Sequence, residues 1–225
     1  MIRYEDEELE NRLFDEESRM IIPIELKEID GITEIFTYKR AEHIALALEK
    51  NYKNILFSEE SIGFIDKELR PLVKEWGYIP DKRVEGYILN YTSAQINKGL
   101  ILSSTTMLYN DDDYVNLTGI DLEATENNDP YFVSIIDGKI VSACGVNAYI
   151  DELKEVEVNI TTAPKYRGNG YGASNVMAMT EHFTKRGYKV TYNCSVKNEK
   201  SIRVAEKCGF KRIGRSYYYI CYRED

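Results

Sequence analysis

Arg167-Gly168-Asn169-Gly170-Tyr171-Gly172 is the stretch on which the reading of the fold turns. Ahead of it Val156 to Thr162 reads as a strand, and behind it Ala173 to Lys185 reads as a helix. Three glycines in five positions let the backbone curl tightly and come close to a ligand. A loop that opens a helix turns several unpaired N–H groups the same way. With the helix dipole, those groups make a seat for phosphate. The expectation is a pyrophosphate cradle.

Upstream, Tyr131 to Ile136 and Lys139 to Ala148 are two apolar, β-branched runs joined by Asp137-Gly138, a strong hairpin signal. Glu155 to Thr162 follows as a strand. Downstream, a helix is expected over 172–186, closed by Gly187. Tyr188 to Val196 reads as a strand. Asn198 to Cys208 reads as a helix, with Asn198 as its cap and Gly209 just past its end. Phe210 to Ile213 and Tyr217 to Tyr222 read as two closing strands. The order β-β-β-α-β-α-β-β predicts an α/β (α+β) sheet with helices on its faces.

These residues resemble the GNAT superfamily, the Gcn5-related N-acetyltransferases. Arg167 to Gly172 fits that family's R/Q-x-x-G-x-G/A loop, and Pro164 stands three residues ahead of it. Asn198, Ser201 and Cys208-Gly209-Phe210 resemble its second signature, N-x-x-A/S ending in G-F. The resemblance covers roughly residues 130–225. Other glycine-loop families fit less well. No Lys-Ser/Thr follows the glycines as in a P-loop, and Thr191, Tyr192 and Asn193 stand where a dinucleotide fold needs an acid.

The resemblance implies a GNAT-like mixed central sheet with helices on both faces, and acetyl-CoA as acyl donor. It implies that the strands 155–162 and 188–196 splay apart to admit the pantetheine. Backbone groups of Ile160, Thr161 and Thr162 would pair with it like a short extra strand, and one near Thr162 would serve the oxyanion. The N–H groups of Arg167, Gly168, Asn169, Gly170, Tyr171, Gly172 and Ala173 would hold the pyrophosphate. Asn198 and Ser201 would line the same site.

Acetyl transfer to an amine needs a base, because an alkylammonium titrates near ~10. On the strand before the loop, Val156, Val158 and Ile160 form one face and Glu155, Glu157 and Asn159 the other. Carboxylates on a central strand are costly unless they meet water, a partner or a substrate. Glu157 is therefore the expected base, with Glu155 second. The resemblance places a proton-donating Tyr four residues before the Gly-Phe pair, but this chain has Ala205 there. Tyr217, Tyr218, Tyr219 and Tyr222 offer substitute hydroxyls, although core packing explains them as well. Direct attack in a ternary complex is expected over transfer through a cysteine.

Composition bounds the rest. The chain has 225 residues, 43% hydrophobic and 30% charged, which suits one large or two small packed domains. Its net charge of −9 disfavours nucleic acid and mildly favours a cationic acceptor. Four scattered cysteines without C-x-x-C, and two distant histidines, read as buried thiols with no metal site. Neither a signal peptide nor a membrane-length apolar run is apparent, so a cytoplasmic protein without membrane contact is expected.

The expected domains are a mostly helical N-terminal extension, 1–105, and a catalytic core, 106–225. In the first, residues 1–20 read as frayed and Ile21 to Leu26 as an edge strand interrupted by Pro23. Tyr38 to Tyr52 and Ser61 to Trp76 read as helices, the second kinked or restarted at Pro71. Val84 to Leu89 reads as a strand, Leu100 to Leu102 as a strand extension, Asn110 to Asp113 as a turn, and Glu123 to Pro130 as a loop. This half either frames the acceptor or forms a subdomain that stabilises the chain or pairs it into a homodimer. Three functions stay open: an N-acetyltransferase for a small primary amine, one for a protein or peptide, and an acetyl-CoA-binding module without turnover.

Overall fold

The computed structural model describes residues 1–15, 18–91, 96–109, 118–120, 122, 129–150 and 153–224, with 81–91 and 150 described by their backbone alone. The turn expected at Asn110 to Asp113 and most of the loop at Glu123 to Pro130 lie outside them. The first elements are β1 (Ile2–Tyr4), α1 (Glu7–Asp15), β2 (Met20–Ile29), β3 (Ile32–Thr37), α2 (Glu42–Asn51), α3 (Glu59–Glu75) and β4 (Tyr78–Tyr91). Then come β5 (Thr105–Leu108), β6 (Thr118–Gly119), β7 (Tyr131–Ile136), β8 (Lys139–Ile150) and β9 (Glu155–Thr162). The last are α4 (Tyr171–Thr184), β10 (Lys189–Ser195), α5 (Glu199–Lys207) and β11 (Lys211–Arg223). This is a mixed α/β architecture, as expected.

The chain divides into two compact units, 1–87 with 214–225, and 88–213. The C-terminal strand thus completes the first unit, where the sequence reading had cut the chain once, at 105.

In the first unit the strand order is β1-β3-β2-β11-β4. Asp30 (φ 50°) and Gly31 (φ 78°) form the two-residue turn between β2 and β3, with Ile29 paired to Ile32. Ile24, Leu26, Ile35, Tyr217 and Tyr219 form a core with Ile44, Ala45 and Leu48 of α2 and Ile65, Leu69 and Val73 of α3. Each such apolar side chain contributes about 1.5–3 kcal/mol by leaving water.

Several expectations need correction here. The region is not mostly helical, since among its described residues four strands accompany three helices. The start of the chain forms β1 over Ile2–Tyr4 and α1 over Glu7–Asp15, and Asp6 Oδ1 caps α1 by accepting from Glu8 N and Leu9 N, both at 3.0 Å. The strand through Pro23 is interior, flanked by β3 and β11. It tolerates the proline because β3 pairing starts at Ile24 and the β11 register slips between Tyr219 and Cys221. Pro71 starts no second helix, for α3 runs through it. Leu100 closes a 3-10 turn, Lys98–Leu100, rather than extending a strand.

In the second unit the strand order is β10-β9-β8-β7-β5, with β6 beside β8. Asp137 (φ 49°) and Gly138 (φ 72°) close the β7–β8 hairpin as read from the sequence. Helix α4 is buried from Gly172 to Thr180. A buried polar set fixes its height on the sheet. Asn175 Oδ1 accepts from Ser134 Oγ and Thr105 Oγ1, both at 3.0 Å, and its Nδ2 donates to Ser142 O at 3.1 Å. Ser142 in turn shares a 2.8 Å hydrogen bond with Thr162 at the end of β9. Strand end and helix start are thereby held together.

Candidate functional site

Strands β9 and β10 run parallel, and their paired register covers only Glu155–Glu157 against Lys189–Thr191. Beyond it β9 continues to Thr162 and β10 to Ser195, without pairing to each other. The other edge of β9 stays paired with β8 as far as Thr162 opposite Ser142. Over 158–162 β9 is not paired by β10, which leaves that edge open to an added strand, although Thr162 O already accepts from Arg167 Nε.

The gap leads to a cavity of about 680 Å³ lined by Ile160, Thr161 and Thr162, by the loop, and by the start of α5. Every residue expected to bind the cofactor lines it except Asn169. Asn169 holds the loop from its outer side, with Nδ2 donating to Tyr166 O at 3.1 Å and to Arg167 O at 3.4 Å. Gly168 (φ 86°) and Gly170 (φ 85°) both occupy the left-handed region, which explains two of the three glycines. Gly172 supplies closeness instead. A Cβ there would meet Thr162 Oγ1 at 3.3 Å and Ile160 Cγ1 at 3.5 Å.

Gly170 is also the N-cap of α4 and offers no side chain to it. Inside the helix, bonding begins with Ser174 N donating to Gly170 O at 3.0 Å. The N–H groups of Tyr171, Gly172 and Ala173 have no acceptor within the helix. Helix α5 differs, because Asn198 Oδ1 accepts from Ser201 N at 3.2 Å. The expected cap is therefore present, and the cavity is also lined by Asn198 and Ser201.

Four cations line the cavity, Arg167, Lys200, Arg203 and Lys207, and no Asp or Glu does among the described residues. In a chain of net charge −9 that is a local inversion. Lys200, Arg203 and Lys207 lie at i, i+3 and i+7, one stripe of α5. Arg203 pairs with Glu199 at 2.8 Å. Arg167 Nε donates to Thr162 O at 3.0 Å, bracing the loop on β9. The sequence reading missed the cationic stripe, although its spacing was legible.

Glu155 and Glu157 do not line the cavity. Glu155 lies in the paired stretch and is held by Lys189 Nζ at 2.5 Å. The Glu155 carboxylate is thus engaged with a lysine of the neighbouring strand. Glu157 lies opposite Thr191 at the last paired position, where the strands part, and accepts from Asn147 Nδ2 at 2.8 Å. At ~3.3 Å per residue it stands about 13 Å along β9 from Thr161.

All four cysteines are free and buried. Burial pushes the Cys194 thiol up, and that of Cys208 to about 12, where Sγ donates to Ala173 O at 3.4 Å. Neither is set up as a nucleophile. Tyr217 and Tyr219 belong to the first unit's core, and Tyr219 donates to Asp66 at 2.9 Å.

Residues 105–211 match the acetyltransferase (GNAT) domain family. No curated protein matches the chain in sequence. Among solved structures it is similar to a GNAT-family acetyltransferase from Novosphingobium aromaticivorans, at 18% identity and a TM-score of 0.53, over 66% of this chain and 69% of that one. It is also similar to a GCN5-related N-acetyltransferase-like protein from Streptococcus suis, at 17% identity and a TM-score of 0.47, over 74% of this chain and 68% of that one. A third, from Colwellia psychrerythraea, gives 13%, 0.47, 65% and 58% respectively. The resemblance read in the sequence is borne out over the matched residues, and the findings support an acyltransferase.

Proposed function

We propose that a chain whose residues 105–211 match a GNAT acetyltransferase domain moves an acetyl group from acetyl-CoA to a primary amine, by direct attack in a ternary complex. The observation that carries this reading is the early end of β9–β10 pairing above a cavity with an uncapped helix start and a cationic rim. The amides of 171–173 and the α5 stripe suit a diphosphate, and the open edge of β9 suits the pantetheine amides. The bound thioester supplies an activated acetyl carbon. Glu157 takes the proton of the attacking amine, directly or through water. Thr162 lies about 16 Å along β9 from Glu157, too far for both to serve one carbonyl, so the charge that grows on the carbonyl oxygen is met by a backbone N–H of β9 nearer Glu157. The raised thiol pKa of Cys194 favours direct attack over a cysteine relay.

A small amine is preferred as acceptor because the chain's negative charge attracts cations. Release of free thiol from acetyl-CoA, followed across a panel of small amines and peptides, tests the reading. Turnover with at least one primary amine is expected, and Glu157→Gln should lower it most at low pH, where more amine is protonated. Binding of acetyl-CoA without turnover on any acceptor would leave a binding module instead.

A further inference from the structure

Strands β8 and β9 pair evenly from Ser142 opposite Thr162 to Val146 opposite Val158, and pairing resumes at Ala148 opposite Glu157. Asn147 is the extra residue between them. Two residues of β8 thus oppose one of β9, which is a β-bulge, a feature that re-aims side chains and recurs beside active sites. The bulge falls where β9 also parts from β10, since Thr191 opposite Glu157 is their last pair. Two irregularities of the sheet therefore meet at one carboxylate.

Asn147 Nδ2 lies 2.8 Å from Glu157 Oε1. Chemistry sets the direction of this bond, because an ionised carboxylate has no proton to give and only the amide can donate. Asn147 is exposed, so core packing does not account for its side chain. One rung along, Asn159 Oδ1 accepts from Gly145 N at 3.3 Å, and the Tyr131 ring of β7 lies over Gly145, 2.5 Å from where a Cβ would stand. One rung the other way, Glu155 is held by the Lys189 ammonium. The two carboxylates of β9 thus have different companions. Lys189 brings a positive charge to Glu155, whereas Asn147 brings Glu157 a neutral donor, which orients it without neutralising it.

We propose that Asn147, carried on the β8 bulge, positions Glu157 by holding its carboxylate toward an amine that enters where β9 and β10 part. This rests on the reading of Glu157 as the base of acetyl transfer. In that step the amine nitrogen bonds to the acetyl carbon, the C–S bond breaks with its electron pair going to sulfur, and one N–H proton passes to Glu157. A carboxylate has about four acceptor positions, so the bond from Asn147 leaves it able to take that proton. Asn147 keeps both of its amide protons and acts only through Glu157, which makes it a positioning residue.

The test compares the wild type with Asn147→Leu, which keeps the size and removes the donor, and with Asn147→Asp, which sets a second carboxylate against Glu157. One readout is the carboxyl carbon-13 NMR titration of Glu157 in the protein alone, assigned by its absence in Glu157→Gln. The other is the acidic limb of kcat/KM for the fastest primary amine of the panel with acetyl-CoA. Glu155, Lys189 and Tyr131 on the flanking strands, and the protonation of the amine itself, are common to these proteins, so differences between them belong to the Asn147–Glu157 pair. Loss of a donor to the ionised form should move the Glu157 midpoint up by about one pH unit in Asn147→Leu, a tenfold change, and further in Asn147→Asp. The kinetic limb should move with it, while acetyl-CoA affinity by calorimetry stays the same. A merely structural role would lower activity without moving the limb. An unmoved Glu157 midpoint in folded Asn147→Leu overturns the proposal, and so does a moved midpoint with an unmoved limb. Full activity in Glu157→Gln, or no turnover of any amine by the wild type, instead overturns the reading of Glu157 as base, whatever the NMR titration shows.

Discussion

Helices α2 and α4 begin in opposite ways. The turn leading into α2 is closed by the protein's own anion. The Glu10 carboxylate, 2% exposed, accepts from Lys39 N at 2.6 Å and Arg40 N at 3.4 Å, and pairs with Arg40 Nε at 3.0 Å. The Arg40 guanidinium also lies 3.9 Å from the centre of the Phe14 ring, which fixes α1 in place. The start of α4 has glycine at its cap, four cations around it and no acid beside it among the described residues. The physics is shared, since both helix starts favour negative charge. In the first unit that charge is a permanent structural clasp. In the second, on the proposed reading, the diphosphate of acetyl-CoA takes its place. An uncapped helix start is informative only when its surroundings also lack an internal anion.

Substitutions can break this contrast. The largest effect is expected from Gly170→Asp, which puts a carboxylate and a strained left-handed residue at the seat meant for phosphate. Calorimetry should show acetyl-CoA affinity falling by more than about a hundredfold, through lost charge-assisted bonds and repulsion. Glu10→Ala does the reverse at the other helix. It leaves a guanidinium and two amides without their partner, and should cost about 2–4 kcal/mol in denaturant unfolding while leaving acetyl-CoA affinity alone.

Lys207→Ala tests the rim. Its Nζ is 3.9 Å from where a Cβ on Gly170 would lie. Affinity should fall about threefold to tenfold at low salt, with a shallower salt dependence than wild type.

The smallest effect should come from Glu25→Gln in β2. Burial raises the Glu25 carboxyl pKa against the weaker opposing pull of Lys27, 3.8 Å away, and Oε1 has no hydrogen-bond partner. The folded state therefore holds this proton more tightly than the unfolded state. The stability it contributes is complete below the unfolded pKa and is lost as pH rises through the folded one. Glu25→Gln should flatten that slope and modestly raise stability at neutral pH, as read from thermal midpoints across pH.

How much of this was legible in the sequence depended on how local the signal was. Asp137-Gly138 set a hairpin because two residues with positive φ suffice to turn the chain. The identical Asp30-Gly31 carried the same message for β2 and β3, but the sequence reading assigned nothing between Leu26 and Tyr38. The sequence reading had two closing strands, Phe210 to Ile213 and Tyr217 to Tyr222, yet one strand, β11, runs straight through Gly214 between them. A Cβ there would collide with the Glu28 carbonyl on β2, a neighbour 186 positions away, and such a reason cannot be read locally. The cavity floor was legible because its glycines, its Asn198 cap and its strand lie within one stretch. The Asn147–Glu157 bond was not, because it joins two strands through side chains across a bulge that shifts their register by one residue.

The most direct test of the central claim is calorimetry of the wild-type protein with acetyl-CoA and with S-acetyl-pantetheine, which has the same thioester without the diphosphate and nucleotide. Saturable binding of the first, lost or greatly weakened with the second, is the result expected if the start of α4 grips the diphosphate. Equal binding of both, or no saturable heat with acetyl-CoA, would contradict it.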